Sequence, residues 1–242
     1  MNLIFRSRKE TQPEAIRGEK STMQATQRIY LPAAGKDWAL PFYDPLVKLL
    51  GADSARLELL EQANLRAGDR VLDIGCGTGT LVALIKQGYP AVEVVGIDPD
   101  PKALARAAKK IKKARVAVKL DQGFADELPY ADESFDRVVS SFMFHHLEAG
   151  NRENTLREVR RVLRPGGSLH LLDFASMEGH GHRGIGAHLH SRRMKDNSDN
   201  KILKLMTQAG FPESEKLSEG GVFFGLMRVA YYRAWLPEQA FD

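Results

Sequence analysis

Cysteine is almost missing from this sequence. Its 242 residues include one, Cys76, so a disulfide within the chain is excluded. A structural zinc site built on cysteine is excluded as well, because such a site needs several cysteine ligands. The low cysteine content is typical of a protein from a reducing compartment.

Long hydrophobic runs are also missing. No stretch reaches the about 18 consecutive apolar residues from which a membrane-spanning helix is recognised. The apolar run near the N-terminus, Leu3–Phe5, has only three residues and is too short for a signal peptide. We therefore expect no membrane span and a cytoplasmic protein, whereas the oligomeric state cannot be predicted from these features.

Positive charge is concentrated in one stretch. The chain has a formal net charge of +4, and residues 101–115 contain seven basic residues and no acidic one. Such a stretch is usually the solvated face of a helix. The alternative is a patch that binds RNA or an anionic lipid.

From Gly68 onward, short apolar runs alternate with amphipathic stretches. Strands are predicted at 71–74, 92–98, 116–120, 135–141 and 168–174, with helices at 78–87, 101–113 and 152–163. A helix at 196–211 and a terminal hairpin of strands at 213–218 and 222–233 follow. In the helix at 101–113, Leu104, Ala108 and Ile111 form the predicted buried stripe.

This alternation predicts an α/β fold. Strands separated by helices form right-handed crossovers and a mostly parallel sheet with helices on both faces. We expect a Rossmann-like sheet of seven strands with an antiparallel terminal hairpin. Residues 1–52 are predicted to form an N-terminal arm and helical lid, and residues 53–242 the main domain.

The stretch "RVLDIGCGTGT" (70–80) is the most informative part of the chain. Glycines between a strand and a helix let a ligand approach the backbone and the helix N-terminus. A dinucleotide loop has the spacing G-x-G-x-x-G, which here would put its third glycine at Thr80. The glycine stands instead at Gly79, so the spacing disfavours a nicotinamide cofactor.

Asp73 ends the strand that leads into this loop. A carboxylate there would repel a pyrophosphate but attract an ammonium group, and S-adenosylmethionine carries both an α-ammonium and a sulfonium. The alternative role of Asp73 is to cap the following helix. Asp98 ends the second strand, where a carboxylate can bind ribose hydroxyls of either cofactor.

Four spaced motifs resemble a known family. These are "VLDIGCGTG", "VVGIDPDP", "ADELPYADESFDRVVSSFMFHHL" and "LREVRRVLRPGGSLHLLDF". Together they resemble the class I S-adenosylmethionine-dependent methyltransferases, especially the branch near the ubiquinone/menaquinone-biosynthesis methyltransferases. The resemblance covers about residues 68–175.

The resemblance implies a set of cofactor-binding residues and S-adenosyl-L-homocysteine as the product. Asp98 would bind the ribose, Pro99 would lie against the adenine, and Ser141 would contact the methionine end through its backbone. The methionine moiety would be surrounded by Asp73, Gly75, Gly77 and Gly79. The other side of the adenine would be lined by Phe124, Ala125 and Asp126, where Phe124 replaces the aspartate that is common in the family.

The residues that would contact the methyl acceptor are less clearly marked. His145 and His146 follow the fourth strand, and His146 is the candidate for a catalytic contact; the alternative for both is a packing role. Tyr43 is a second catalytic candidate, in an aromatic segment with Tyr30 and Trp38 that could form a lid or belong to the core.

The segment 177–197 is predicted to be a flexible substrate cap. It contains His180, His182, His188 and His190 in H-x-H pairs, which can bind a metal ion when they lie on a strand. No carboxylate or cysteine falls in a matching register, so no metal site is predicted.

The sequence thus predicts methyl transfer from S-adenosylmethionine to a small-molecule acceptor, quinone-like, phenolic, amine or lipid. The alternatives are an RNA methyltransferase, supported by the basic stretch 101–115, and a protein that binds S-adenosylmethionine without transferring its methyl group.

Overall fold

A computed structural model of the chain describes residues 51–175 and 199–238. The predicted lid residues Tyr30, Trp38 and Tyr43 lie outside these ranges. The four histidines of the predicted substrate cap also lie outside them.

The described residues form one mixed sheet. Its strands are β1 (Arg70–Ile74), β2 (Glu93–Asp98), β3 (Lys119–Gln122), β4 (Phe135–Ser141), β5 (Leu163–Phe174), β6 (Glu213–Val222) and β7 (Met227–Trp235). The order across the seven-stranded sheet is β3-β2-β1-β4-β5-β7-β6. The first five strands are parallel, and β7 runs antiparallel to both β5 and β6. The predicted architecture, including the terminal hairpin, is confirmed.

Helices cover both faces of this sheet. They are α1 (Ala52–Ala63), α2 (Thr80–Gly88), α3 (Pro101–Ala114), α4 (Ala149–Val162) and α5 (Asp199–Gln208). A 3-10 turn at Phe144–His146 follows β4. Alternate residues of the strands enter two cores: Leu72 packs in the core that contains residues of α4 and α5, whereas Val71 packs in the core that contains residues of α1, α2 and α3.

The predicted apolar stripe of α3 was wrong at two of its three positions. The buried residues are Ala103, Ala107 and Ile111, whereas Leu104 is half-buried and Ala108 is exposed. The reason is the close approach of α2 and α3: a Cβ added to Gly79 would lie 2.7 Å from the Cβ of Ala107. Small residues are therefore required on the buried face, and the larger leucine lies beside it.

The predicted third strand also began too early. Pairing with β2 starts at Lys119, opposite Val95, and not at Val116. The α3 helix ends at Arg115 in a left-handed conformation, and the Val116 N–H donates to the Ile111 carbonyl at 3.3 Å. These bonds keep the first residues after the helix in a turn. A prediction from apolar character alone therefore placed the start of the strand too early.

The sheet topology marks the edge where a ligand would bind. β1 and β4 are neighbours at the centre of the sheet, where the strand order changes direction. In open α/β sheets, ligands bind at the carboxyl ends of the strands at this switch point. Within the two described ranges, none of the helices is both long and apolar enough to cross a membrane.

Candidate active site

The glycine loop is folded against the end of β2. The backbone N–H groups of Gly75 and Cys76 both donate to the Ile97 carbonyl, at 2.9 and 3.0 Å. Gly75, Gly77 and Gly79 have φ values of 69, 52 and 76°, a left-handed region that favours glycine. The alternating glycines therefore turn the chain from β1 into α2 over this edge of the sheet.

The three positions are occupied by glycine for different structural reasons. A Cβ at Gly75 would lie 2.2 Å from Met143 Cγ, and one at Gly79 would collide with Ala107. A Cβ at Gly77 would meet no described atom within 4 Å. Gly75 and Gly79 thus permit close packing inside the protein, whereas Gly77 leaves room for a ligand to reach the backbone.

The carboxylate of Asp98 holds the loop in place. Its Oδ2 accepts a hydrogen bond from the Gly77 N–H at 2.8 Å, and its Oδ1 accepts from the Asp100 N–H at 2.9 Å. Burial raises the pKa of Asp98, and these two backbone donors act in the opposite direction. Each carboxylate oxygen can accept a further bond, so Asp98 can organise the loop and still receive ribose hydroxyls.

Asp73 is the most unusual group of the site. It is 1% exposed, and neither carboxylate oxygen has a hydrogen-bond partner among the residues the structure describes. Burial raises its pKa strongly; the charge of Arg56 lowers that pKa in part, and the charge of Asp98 raises it further. A buried carboxylate without a partner is costly, so it indicates a missing cation or donor.

The alternative role of Asp73 as a helix cap is wrong. The N-cap of α2 is Gly79, and no side chain caps this helix end. The carboxylate of Asp73 thus has no partner at this helix end or elsewhere among the described residues.

Cys76 has a packing role in the loop. Its thiol is buried against Gly96, where an added Cβ would lie 2.9 Å from Sγ. Burial raises the pKa of the Cys76 thiol, so the unreactive thiol form is favoured.

The residues predicted around the adenine are brought to the same edge. The Gly123 N–H donates to the Asp98 carbonyl at 3.2 Å, and Gln122 Nε2 donates to the Pro99 carbonyl at 3.2 Å. The Glu127 N–H donates to the Phe124 carbonyl at 3.3 Å, which closes a turn around the next two predicted residues. The half-buried residues there are Pro99, Phe124, Ala125 and Asp126.

Ser141 lies at the opposite end of the site, beside an arginine that the sequence did not indicate. Arg56 of α1 donates through Nε to Ser141 Oγ at 3.3 Å and through Nη1 to Asp53 Oδ1 at 3.1 Å. Its guanidinium lies 5.3 Å from the centre of the Phe142 ring. No local pattern marks Arg56, because its partner on β4 is 85 residues away in the sequence.

A buried histidine–aspartate pair follows β4. His145 Nδ1 lies 2.6 Å from Asp173 Oδ1, and the His145 backbone N–H donates to Asp173 Oδ2 at 2.7 Å. Asp173 is 0% exposed. The second ring nitrogen, Nε2, has no hydrogen-bond partner within residues 51–175 and 199–238.

The neighbouring His146 occupies a different position. Its half-buried ring packs against the His145 ring, with centroids 4.1 Å apart, and its backbone N–H donates to the Met143 carbonyl at 2.9 Å. Sequence reasoning selected His146 and did not single out Asp173. The available signal was a polar residue near the carboxyl end of an otherwise apolar strand, "LHLLDF" (169–174).

Comparison with known proteins agrees with this geometry. Residues 71–167 match the model of a family described as a methyltransferase domain. The chain is 37% identical over 139 residues to the demethylmenaquinone methyltransferase of Lactobacillus johnsonii, covering 55% of this chain and 56% of the relative. It is 39% identical over 137 residues to the enzyme of the same name from Thermus thermophilus, covering 55% of this chain and 61% of the relative.

The fold is shared with solved structures of low sequence identity. The YcgJ protein of Bacillus subtilis superposes with a TM-score of 0.62 at 20% identity, over 76% of this chain and 99% of that one. The phosphoethanolamine N-methyltransferase 2 of Haemonchus contortus, solved with S-adenosyl-L-methionine, gives 0.62 at 18% identity, over 76% and 53%.

The fold and the glycine loop resemble those of a class I S-adenosylmethionine-dependent methyltransferase domain. The match over residues 71–167 and the similarity to these relatives support a methyltransferase near the ubiquinone/menaquinone-biosynthesis methyltransferases that the motifs resemble. The chain spans about three-fifths of the length of these curated relatives.

Proposed function

We propose that this protein transfers a methyl group from S-adenosylmethionine to a small-molecule acceptor. The observation that carries the proposal is Asp73, a fully buried carboxylate at the carboxyl end of β1 whose two oxygens lack partners among the described residues. The α-ammonium of S-adenosylmethionine supplies the cation and donors that this carboxylate needs.

The other residues of the site fit the rest of the same molecule. Gly77 offers an unobstructed backbone, and Asp98 has accepting capacity left for ribose hydroxyls. Pro99, Phe124, Ala125 and Asp126 would enclose the adenine. S-adenosylmethionine supplies an electrophilic methyl group on a good leaving group, so the protein mainly has to position the acceptor and exclude water.

His145 is placed to accept a proton from the acceptor. Asp173 holds Nδ1 and thereby leaves Nε2 as the nitrogen that can receive a proton, as a buried aspartate orients a histidine base. His146, whose ring packs on His145, is proposed to contact the acceptor or the cofactor. Tyr43 remains a proposed catalytic residue, within a proposed lid over residues 1–52.

Support for a small acceptor comes from the relatives, several of which are named for demethylmenaquinone. Quinone-like, phenolic, amine and lipid acceptors all remain within this proposal. RNA is not favoured by the names of these relatives, and one residue of the basic stretch, Lys110, has a structural use: its Nζ donates to Thr80 Oγ1 at 2.6 Å and to Thr78 Oγ1 at 3.3 Å.

The test has two stages. Titration calorimetry with S-adenosylhomocysteine and with NADH should show binding of the former only. A cell extract is then incubated with the protein and S-adenosylmethionine tritiated on its methyl group, and label should enter the small-molecule or lipid fraction.

Asp73→Asn is the test variant for both stages, because it should remove both the binding of S-adenosylhomocysteine and the labelling. Label that enters only RNA, or binding without any labelled product, would contradict the proposal.

A further inference from the structure

The hairpin that joins β6 to β7 ends in an exposed apolar turn. The turn consists of residues 223–226, which we name the hairpin tip. Phe224 is 85% exposed and Leu226 is 76% exposed. Among the described residues, these two are the most exposed of the large apolar side chains. Neighbouring apolar side chains in water indicate a binding surface, whereas singly scattered ones need no explanation.

The backbone of the hairpin tip is also unusual. Phe223 and Phe224 both have a φ of 57°, and Gly225 has a φ of 81°. Bulky side chains destabilise this left-handed region, and hairpin turns that require a positive φ usually carry glycine, asparagine or aspartate there. Phe223 packs against the core, but Phe224 does not. The fold therefore gains little from a phenylalanine at position 224, which indicates a use outside the folded chain.

The hairpin tip lies at the same edge of the sheet as the candidate active site. Because β7 is antiparallel to β5, with Val229 opposite Phe174, the start of β7 lies at the carboxyl end of β5. The ring centroids of Phe223 and Phe174 are 6.5 Å apart, and those of Phe174 and His145 are 5.0 Å apart. A row of rings thus connects the hairpin tip with His145.

Positive charge is in excess on the strands next to the hairpin tip. Lys216 and Arg228 both form ion pairs with Glu219, so two cations share one carboxylate. The side chain of Arg228 is 62% exposed, and it follows Leu226 by two residues. A cation beside exposed apolar side chains suits the anionic headgroups that border the hydrocarbon of a bilayer.

The size and shape of this surface favour a lipid over a protein partner. A stable protein interface takes about 800 Å² from each partner, far more than two side chains supply. The apolar surface does not continue along β6, the outermost strand, because residues 213–216 are all polar or charged. A protruding apolar turn with adjacent cations can instead enter the boundary between headgroups and acyl chains.

We propose that the hairpin tip docks the protein on an anionic lipid surface. Phe224 and Leu226 insert among the acyl chains, Arg228 lies at the headgroups, and the carboxyl edge of the sheet faces the lipid. Two inserted side chains give a weak and reversible attachment, since even one myristoyl chain binds a membrane only marginally. The attachment does not require methyl transfer and goes beyond the proposed function.

Vesicle binding tests the proposal. The protein is sedimented with vesicles of phosphatidylcholine alone, and with vesicles of phosphatidylcholine and phosphatidylglycerol in equal amounts. The wild type should bind the mixed vesicles roughly fivefold more tightly for each cation at the surface. Arg228→Gln should reduce this preference for the anionic lipid, whereas binding to phosphatidylcholine alone should stay as in the wild type.

The double variant Phe224→Asn/Leu226→Ser removes the inserted side chains. Asparagine tolerates the left-handed backbone, so the turn should still form. Binding to the mixed vesicles should fall by roughly 100-fold, because two apolar side chains no longer leave water. Leu57→Ser is the matched control, because Leu57 is an exposed leucine of α1, at 49%, outside the hairpin tip. It should bind vesicles like the wild type.

Fluorescence measures insertion independently of the double variant. In Phe224→Trp, vesicles with brominated acyl chains should quench emission beyond the quenching seen in the wild type. Leu57→Trp should show no such excess. Quenching in neither variant, or a wild type that binds neither kind of vesicle, would overturn the proposal.

Two further outcomes would also contradict the lipid assignment. Equal loss of vesicle binding in Leu57→Ser and in the double variant would show that the hairpin tip has no special part in it. A wild type that dimerises in light scattering without binding vesicles, with the dimer lost in the double variant, would assign the hairpin tip to a second copy of this chain.

Discussion

His145 is held by Asp173 through two hydrogen bonds, one from its ring at 2.6 Å and one from its backbone N–H at 2.7 Å. One carboxylate thus fixes both the main chain and the side chain of the same residue at the carboxyl edge of the sheet. The Asp173 carboxylate also accepts from the Phe174 N–H at 2.7 Å, so its own position is fixed. These three bonds orient the His145 ring, which we propose to act as the base of the reaction.

The first prediction concerns this pair. His145→Gln should lower the rate of methyl transfer by roughly 10²- to 10⁴-fold, the usual contribution of a general base. Asp173→Asn should lower the rate as well, because an amide favours the wrong tautomer of the imidazole. The measurement is transfer of tritiated methyl to the acceptor fraction that the wild type labels.

Calorimetry with S-adenosylhomocysteine is the control for both variants, whose affinity should match that of the wild type. An unchanged transfer rate in His145→Gln would show that the acceptor atom needs no base. An equal loss of cofactor affinity would assign the pair a structural role.

Local patterns predicted the sheet and the loop well. The alternation of apolar runs and helices predicted the parallel strands. The spacing of Asp73, Gly75, Gly77 and Gly79 predicted the turn from the first strand into the following helix, because these residues are close together in the sequence. The predicted buried face of α3 was wrong because the close approach of Gly79 and Ala107 is a tertiary contact between two helices, which local sequence patterns do not contain.

Residues that contact the site from distant parts of the sequence could not be predicted from local patterns. Arg56 contacts Ser141 across 85 residues, and Asp173 contacts His145 across 28. Neither separation follows a helical or strand period, so no pattern connects these residues before the chain is folded. The choice between His145 and His146 likewise depends on the 3-10 turn that directs the first of the two toward β5.

The second prediction is that Asp73 lowers the stability of the ligand-free protein although ligand binding requires it. Burial raises the folded-state pKa of this carboxyl above its unfolded value, so the folded protein binds the proton more tightly. Stability without ligand therefore falls as the pH rises from the ordinary carboxyl range through the raised pKa. Asp73→Asn removes that loss and should stabilise the ligand-free protein at neutral pH by roughly 1 to 3 kcal/mol.

Urea unfolding at pH 4.5 and pH 7.5 measures this effect. The advantage of the variant should be larger at the higher pH, and its affinity for S-adenosylhomocysteine should be lost. A variant that is less stable than the wild type at both pH values would show that the ionised carboxylate stabilises the fold.

The third prediction is a proton released on cofactor binding. In the free protein burial raises the pKa of Asp73, the charge of Arg56 lowers this pKa in part, and the charge of Asp98 raises it further. An ammonium bound against the carboxylate favours the ionised form and lowers the pKa. Binding of S-adenosylhomocysteine should therefore release a proton at pH values between the bound and free pKa.

Calorimetry in phosphate and in Bis-Tris, which both buffer slightly below neutral pH, measures the release, because the observed enthalpy then includes the ionisation enthalpy of the buffer. Arg66→Gln, at an exposed arginine of the loop before β1, should behave like the wild type. Identical enthalpies in the two buffers at every pH tested would mean that Asp73 does not change its protonation on binding.

The fourth prediction compares two glycines of the loop. Gly79→Ala puts a methyl group 2.7 Å from the Cβ of Ala107 at a positive φ, and should cost about 2 to 4 kcal/mol of unfolding free energy. Gly77→Ala meets open space, so only the backbone strain of about 1 to 2 kcal/mol remains.

The loss of ligand affinity should follow the reverse order, larger for Gly77→Ala than for Gly79→Ala. The alanine at position 77 occupies the space through which a ligand approaches the backbone, so this variant should lose affinity for S-adenosylhomocysteine. The folded fraction of Gly79→Ala should keep it. Urea unfolding and calorimetry give both quantities, and equal destabilisation by the two substitutions would contradict the assigned packing role of Gly79.

The last prediction concerns acid stability and a residue outside the proposed site. His170 on β5 is 2% exposed, and its Nε2 lies 3.0 Å from Ser168 Oγ. Burial, helped by the charges of Arg137 and Arg233, lowers its pKa to about 3. In the unfolded chain the same imidazole takes up a proton near its ordinary pKa of about 6.5.

Protonation of the unfolded state should therefore destabilise the protein as the pH falls from about 6.5 toward 3, by up to about 1.4 kcal/mol per pH unit. In His170→Gln the substituted side chain is neutral in both the folded and the unfolded state. Between pH 7 and pH 5 the unfolding free energy of this variant should therefore fall by about 2 kcal/mol less than that of the wild type. Urea unfolding at these two pH values tests the difference. The same pH dependence in both proteins would mean that His170 is protonated as readily in the fold as in the unfolded chain.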